Sequence, residues 1–360
     1  MQHSSLETIL TPRTVRTKKA WPAMWSVALV LVLSLLWNGP VRGASVEPAD
    51  FPSLVSSLKS IGPLDFCGEP VPLENLEVRE RLEKEVLLYV WNRAQVILWL
   101  KRSTRYLPYI EKMLRENEMP EDLKYLPVVE SALLPHIRSR KGAVGMWQFM
   151  AATGRKYGLT INSRIDERQN LFAATEAAIR YLKDLYAIFD SWALSAAAYN
   201  MGEDGLEAEI SEQQTNDYYA LYLPLETQRF LLRILAVKLI LSDPGRFGFN
   251  FHEEDYYRPI TFDEVQINCS RNIPIRIIAQ AAGTHFKVIK DLNPELRGHY
   301  VPSGTHTILI PRGASEGFHN RFEDMVKAFV ADWRSRVYVV RRGDTLSSIA
   351  EQFDMPLSAL

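Results

Sequence analysis

From about Leu76 the apolar residues step along the chain at intervals of three and four. Leu82, Val86, Tyr89 and Val90 form one such series, while Arg79, Glu80, Glu83 and Lys84 fill the other face. That period predicts a helix buried along one side. The stretch from Asn117 to Pro120 interrupts it, and a new helix then carries Leu123 and Leu126. Pro127 lacks a backbone donor, so it is expected to kink or restart that helix just before Glu130. Glycines 142, 145, 154 and 158 predict turns around Trp147-Gln148. Asn170 predicts the cap of a helix bearing Leu171, Ala174, Ala178, Tyr181, Leu185 and Ile188. The small apolar run from Trp192 to Ala198 reads as a buried helix that stops at Gly202. Pro224 opens one more, through Phe230, Ile234, Leu235 and Leu239, ended by Asp243-Pro244-Gly245. No strand-rich stretch interrupts this region, so residues 76–248 are predicted as one helical domain.

After Phe247 the period changes. Glu264-Val265-Gln266-Ile267 and Thr307-Ile308-Leu309-Ile310 alternate as strands do, and two short helical patterns lie between them, around Ile275–Ala279 and Phe286–Ile289. The apolar set Ile275, Ile278, Ala279, Phe286 and Ile289 aligns without gaps to Leu346, Ile349, Ala350, Leu357 and Leu360. This internal repeat predicts two copies of a small βααβ unit, at 262–312 and 337–360. The fold class is therefore mainly α, with small α+β modules after a helical domain. The second unit stops at Leu360 before any closing strand, so the expectation is a longer chain or a poorly ordered final module.

At the other end, Arg13, Arg16, Lys18 and Lys19 precede an apolar run from about Ala20 to Trp37, followed by Gly43-Ala44-Ser45. Residues 1–44 read as an export signal, with an uncleaved membrane anchor as the other reading. Cys67 lies too far downstream of the run for lipid attachment there. Residues 45–75 read as a linker. A formal net charge of -1 gives no basic field, so nucleic acid is not an expected partner. Cys67 and Cys269 match no metal spacing, and the seven histidines show no ligand pattern. The two cysteines allow one disulfide in an oxidising compartment or two free thiols.

Against this background Glu130 stands out. It sits in the apolar segment Pro127-Val128-Val129-Glu130-Ser131-Ala132. A carboxyl in such surroundings resists ionising and can protonate a leaving oxygen near neutral pH. Downstream lie Ser139, Gly145-Met146-Trp147-Gln148-Phe149, Ala198-Tyr199-Asn200-Met201-Gly202 and Leu223-Pro224-Leu225-Glu226-Thr227. In order and spacing these segments resemble the catalytic domain of the soluble lytic transglycosylase (SLT) family, and within it the membrane-bound D-type subgroup. The resemblance covers roughly residues 115–245 and implies a lysozyme-like fold. Tyr338-Val339-Val340-Arg341-Arg342-Gly343-Asp344-Thr345-Leu346 resembles the start of a LysM module, a family that binds glycans containing N-acetylglucosamine. In the first repeat Asn272-Ile273-Pro274 replaces Gly343-Asp344-Thr345, so residues 262–312 read as a degenerate LysM-like module.

The resemblance implies cleavage of the β-1,4 bond between N-acetylmuramic acid and N-acetylglucosamine, with a 1,6-anhydro product and no cofactor. Glu130 would act as acid and then as base, and Tyr199 would assist by hydrogen bonding to Glu130 or to the sugar. Ser131, Ser139, Gln148 and Asn200 are the implied substrate-binding residues. Asp166, Glu167, Glu203 and Asp204 read instead as helix-starting acids. Trp147 reads equally as core or as sugar platform. The expected partner is the peptidoglycan glycan strand in the bacterial envelope, reached by export, with membrane association through the N-terminal segment. A hydrolytic muramidase on the same fold and a non-catalytic wall-binding protein are the competing readings.

Overall fold

The computed structural model describes residues 53–59, 61–335, 338–353 and 357. The apolar run at 20–37 and its signal or anchor reading lie outside them. Among the described residues no helix is long and apolar enough to cross a membrane.

The helical region begins with α1 (Leu54–Lys59) and a two-residue hairpin, β1 (Asp65–Phe66) against β2 (Glu69–Pro70). Helix α2 (Leu76–Trp91) is capped by the Asn75 side chain, which accepts from the Glu77 N–H at 3.0 Å. Its predicted apolar side is buried at Leu82, Val86 and Val90. Next comes α3 (Arg93–Glu116), then a 3-10 turn at Glu121–Tyr125, then α4 (Leu126–Ser131) with Pro127 in its first turn. There the missing N–H of proline leaves no hydrogen bond unmade. The chain continues through α5 (Ala151–Lys156), α6 (Leu171–Phe189), α7 (Trp192–Met201), α8 (Glu203–Gln213) and α9 (Leu225–Ser242). Asn170 caps α6 as its sequence position predicts, accepting from the Phe172 and Ala173 N–H groups at 2.9 and 3.0 Å.

Helix α7 runs through the centre, and Trp192 to Ala198 are all buried. Its alanines let α6 and α9 pack close on either side. Helix α9 also packs on α2 and α4. One charge is buried in that interface. Glu85, only 2% exposed, takes a two-pronged bond from Arg229 at 2.5 and 3.0 Å, with Arg233 at 3.7 Å. A buried carboxylate is tolerated only when paired in this way.

The module after Phe247 pairs β3 (Phe262–Cys269) antiparallel with β6 (Gly304–Pro311), from Phe262↔Pro311 to Cys269↔Gly304. The short strands β4 (Ile273–Pro274) and β5 (Tyr300–Val301) pair beside them. Helices α10 (Ile275–Ala281) and α11 (Phe286–Leu292) lie between, giving the βααβ order expected. Asn293 stitches α11 to β6 by donating to the Ile289 and Leu309 carbonyls and accepting from the Leu309 N–H, each at 2.8 Å. Sequence reading ended this module at 312, but its core also takes Phe318 and Phe322 from α12 (Phe318–Ser335), which packs on α10. In the second unit Thr345 caps α13 (Leu346–Gln352), and Asp344 accepts from the Tyr338 hydroxyl at 2.9 Å. Ile349 and Ala350 are buried, whereas Leu346 and Leu357 remain exposed. Leu360, the last position of the repeat, lies outside the described residues. Both cysteines are free thiols.

The module joins the helical region along a short seam. Ile165 and Leu296 form an antiparallel bridge, with Asp166 N–H to Glu295 O at 2.9 Å and Arg297 N–H to Arg164 O at 2.7 Å. Glu295 Oε2 is buried there with no hydrogen-bond partner among the described residues. Burial, reinforced by Glu167, lifts this carboxyl to about 7, against partial offsets from its own N–H, Asn170 and Lys290. The folded protein therefore holds this proton where the unfolded chain has released it. Stability is expected to fall as pH rises from about 4.5 to about 7, by about 3 kcal/mol if this group acts alone. Glu295→Gln should flatten that slope in thermal melts taken from pH 5 to pH 8. An unchanged slope would show that Glu295 ionises freely.

Candidate active site

Glu130 lies one residue before the end of α4. The chain then turns through Ala132 and Leu133, both in the left-handed region at φ 55° and 59°. Two such residues in succession are unfavourable outside glycine and must be held by their surroundings. Arg102 contributes by donating to the Ala132 carbonyl at 3.0 Å. The Glu130 side chain is partly open, and its carboxyl has no hydrogen bond among the described residues. Burial raises it to about 8; the negative charge of Glu226 adds to the effect, and Arg233 partly offsets it. It is thus mostly protonated at neutral pH.

The loop from Arg138 to Phe149 folds on itself through bridges Arg138↔Val144 and Val144↔Phe149. Ser139 is partly buried, and its hydroxyl accepts from the Ala143 N–H at 3.0 Å, which shapes the loop. Trp147 is fully buried and donates to the Thr175 hydroxyl at 3.0 Å, so it belongs to the core and is not a sugar platform. Gln148 has φ 48°, and its amide nitrogen donates to the Gly145 carbonyl at 2.7 Å. That leaves its oxygen as the free end.

A pocket of about 220 Å³ lies between this loop and the end of α7. Gln148, Phe149, Tyr181, Tyr199, Asn200 and Glu203 are in its walls. A larger, mainly apolar cavity of about 350 Å³ lies between α3, the start of α6 and the module, lined by residues such as Pro108, Phe172 and Phe262. Gln148 and Tyr199 line the smaller pocket and not this cavity, and Glu130 lines neither.

Tyr199 ties the two halves of the site together. It lines the pocket, and Glu130 is near enough for its charge to act on the phenol. Burial first, and that charge second, hold the phenol well above its ordinary value. Its hydroxyl donates to the Trp147 carbonyl at 2.6 Å. The proton is therefore directed at backbone, where the sequence reading aimed it at Glu130 or the sugar. Asn200 accepts from the Thr227 hydroxyl at 2.9 Å, joining α7 to α9. The Leu223–Thr227 segment thus contributes twice, through this bond and through the charge of Glu226 that acts on Glu130. Ser131, expected among the substrate contacts, is buried instead, and its hydroxyl donates to the Pro127 carbonyl at 2.9 Å.

Glu203 was read as a helix-starting acid, and it does open α8. It also stands in the pocket wall. Burial opposes its ionisation, but its own N–H, Lys156 and Tyr181 hold its carboxyl below the ordinary value. Lys156 donates to one oxygen at 3.1 Å and Tyr181 to the other at 3.0 Å. The pocket wall therefore carries one charged, anchored carboxylate, Glu203, whereas the carboxyl of Glu130 is not part of that lining and acts on the pocket through Tyr199. Of the other expected acids, Glu167 accepts from the Thr160 N–H at 2.6 Å. Asp166 is fully buried in ion pairs with Arg168 and Arg297, a role that local sequence gives no sign of. Among the described residues no cluster of side chains could hold a metal ion.

Residues 108–222 match the domain family described as Transglycosylase SLT domain. Residues 261–327 match the family described as Lytic transglycosylase MltD, LysM-like domain, and 338–360 match LysM domain. Membrane-bound lytic murein transglycosylase D of Escherichia coli (strain K12) is 31% identical over 304 residues. That alignment covers 80% of this chain and 66% of the relative, slightly less than two thirds of its length. The protein of the same name from Escherichia coli O6:H1 gives the same figures. Peptidoglycan transglycosylase gp16 of Escherichia phage T7 is 38% identical over 86 residues, which is 23% of this chain and 6% of that one. The chain therefore carries a transglycosylase domain of the SLT family, followed by an MltD-type LysM-like domain and a LysM domain.

Proposed function

We propose that the protein cleaves peptidoglycan glycan strands as a lytic transglycosylase, with Glu130 as the only proton carrier. In the first half-reaction the Glu130 carboxyl gives its proton to the bridging oxygen as the bond from muramic acid C1 to that oxygen breaks. In the second, the muramic acid C6 hydroxyl oxygen bonds to C1 and its proton returns to Glu130. The products are a free 4-hydroxyl on N-acetylglucosamine and a 1,6-anhydro end, with no water consumed. The nucleophile is part of the substrate, so proximity takes the place of a second enzyme group.

The observation that carries this reading is the Glu130 carboxyl, raised to about 8 within electrostatic reach of the pocket residue Tyr199. An acid of that strength is protonated when the substrate arrives and can accept a proton once the bond has broken. Gln148 and Asn200 offer polar contacts to acetamido and hydroxyl groups, and Ser139 shapes the loop beside them. The relatives' names and the LysM match support a peptidoglycan substrate in the cell envelope. The export or anchor reading of the N-terminus and the words "membrane-bound" in the relatives' name support the same place. The second unit, which keeps the Gly343-Asp344-Thr345 turn, is the proposed glycan-holding module.

Glu203 is the observation that favours hydrolysis, since a hydrolase needs a second carboxyl group besides its acid. Both of its oxygens are already held, however, which leaves it poorly placed to activate water. Mass analysis of fragments released from purified sacculi separates the readings. Anhydro-muramic ends, lighter by one water than reducing ends, are expected. Reducing ends would establish the hydrolase, and no new ends would leave only wall binding.

A further inference from the structure

The loop that carries Gln148 folds on itself and also rests on an external support. Arg168, 2% exposed, donates from Nη1 to the Gly142 carbonyl at 3.2 Å and the Phe149 carbonyl at 3.1 Å, so it grips both ends of the segment 142–149. The middle of the segment lies on the same residue, because a Cβ added at Gly145 would come within 1.7 Å of the Arg168 carbonyl oxygen. Arg168 is itself oriented by Asp166, through Nε at 2.8 Å and Nη2 at 2.9 Å. The remaining cation on Asp166 comes from the LysM-like module: Arg297 donates to Asp166 Oδ2 and, at 3.0 Å, to the Asn162 carbonyl. The seam at 295–297 pins the same turn through its backbone.

The degenerate turn of that module faces the same way. Asn272, which stands where the second unit has Gly343, accepts a hydrogen bond from Arg164. The position that opens the glycan-binding signature in the second unit is here occupied by a contact with the helical domain.

We propose that the LysM-like module serves as a buttress for the active-site loop, with Arg297 as a positioning residue acting through Asp166 and Arg168. Its part in turnover rests on the transglycosylase reading above, whereas its effect on the loop does not. A planar guanidinium fixes the rotation of the Asp166 carboxyl, which fixes the Arg168 fork and therefore the two carbonyls that set the height of Gln148. Removing Arg297 leaves Asp166 paired to Arg168, so the charge stays compensated and the fold is expected to persist while the loop loosens.

The test compares full-length wild type, Arg297→Met and Arg297→Lys by hydrogen–deuterium exchange and by kinetics on a soluble glycan-strand substrate. In Arg297→Met, amides of 137–149 and 164–169 should exchange faster while those of α2 and α9 do not change. Its kcat should drop about tenfold with KM nearly constant, since misplacing a loop loses rate before it loses binding. Arg297→Lys, which keeps one charged bond, should lie between the two. Unchanged exchange in the loop would overturn the proposal, as would faster exchange across the whole molecule. An effect confined to KM would also overturn it, because that would mark the module as a glycan-holding surface. A wild-type chain without turnover would remove the function reading alone, and the exchange comparison would still decide the positioning one.

Discussion

Glu130→Gln is expected to lower release of anhydro-muropeptides by about a thousandfold, within the range that a positioned general acid supplies. The substitution keeps the shape of the side chain and removes its titratable proton. It leaves no broken ion pair, because the carboxyl has no hydrogen bond among the described residues. The folded protein should not suffer. The native carboxyl holds its proton up to about pH 8, so above that pH the wild type carries a poorly solvated charge that the amide avoids. The thermal midpoint of the variant above pH 8 should therefore equal or exceed that of the wild type. The same displacement sets the pH profile of the wild type. The acid form exists below about 8 and disappears above it, so kcat/KM should decline on the alkaline side through that value. Sacculus digestion by Glu130→Gln at a rate near wild type would end the acid and base assignment.

Gly145→Ala is expected to be among the most damaging single changes in the chain. The residue has φ 85°, and a methyl group there would sit 1.7 Å from the Arg168 carbonyl oxygen and 2.6 Å from its carbon. Backbone cannot swing aside as a side-chain end can. Left-handed strain of about 1–2 kcal/mol adds to overpacking of about 1–3 kcal/mol, for a loss of about 2–5 kcal/mol in denaturant unfolding. Gly142→Ala is the control. It has φ 93° but meets nothing within 4 Å, so only the strain applies. If the two variants unfold at the same denaturant concentration, the loop does not rest on Arg168.

The patterns that sequence made legible are the local ones. Helical period located the buried side of α2 because residues three and four apart share a face. Asn170 was legible as a cap because a cap bonds to amides two and three residues on. Pro127 announced the restart of a helix through its missing donor. The alternation in β3 and β6 showed the module, although not their pairing partner or the closing role of α12. The mainly helical class and the βααβ order followed from these signals. What stayed hidden depends on contacts between distant positions. Asp166 looked like a helix start, yet its partner Arg297 is 131 residues away. Glu203 also looked like a first-turn acid, and it is one, but only the fold brings Lys156 and Tyr181 onto its two oxygens. Trp147 was undecided until its indole met Thr175. Ser131 sits in the same motif as Glu130, but on a six-residue helix adjacent positions face different ways. The Glu130 side chain is partly exposed, whereas that of Ser131 points into the protein. That distinction was available from helix geometry alone and is the signal the motif reading passed over.

The bond from Tyr199 to the Trp147 carbonyl fixes the polarity of the pocket wall. With its hydrogen committed to the backbone, the phenol has only lone pairs left for a ligand group that reaches it in the pocket. A visiting hydroxyl or N–H can dock against it, whereas a bare carbonyl oxygen meets only another acceptor. This wall thus sorts ligand groups by which of them bring a hydrogen, and a neutral carboxylic acid nearby is among those that do.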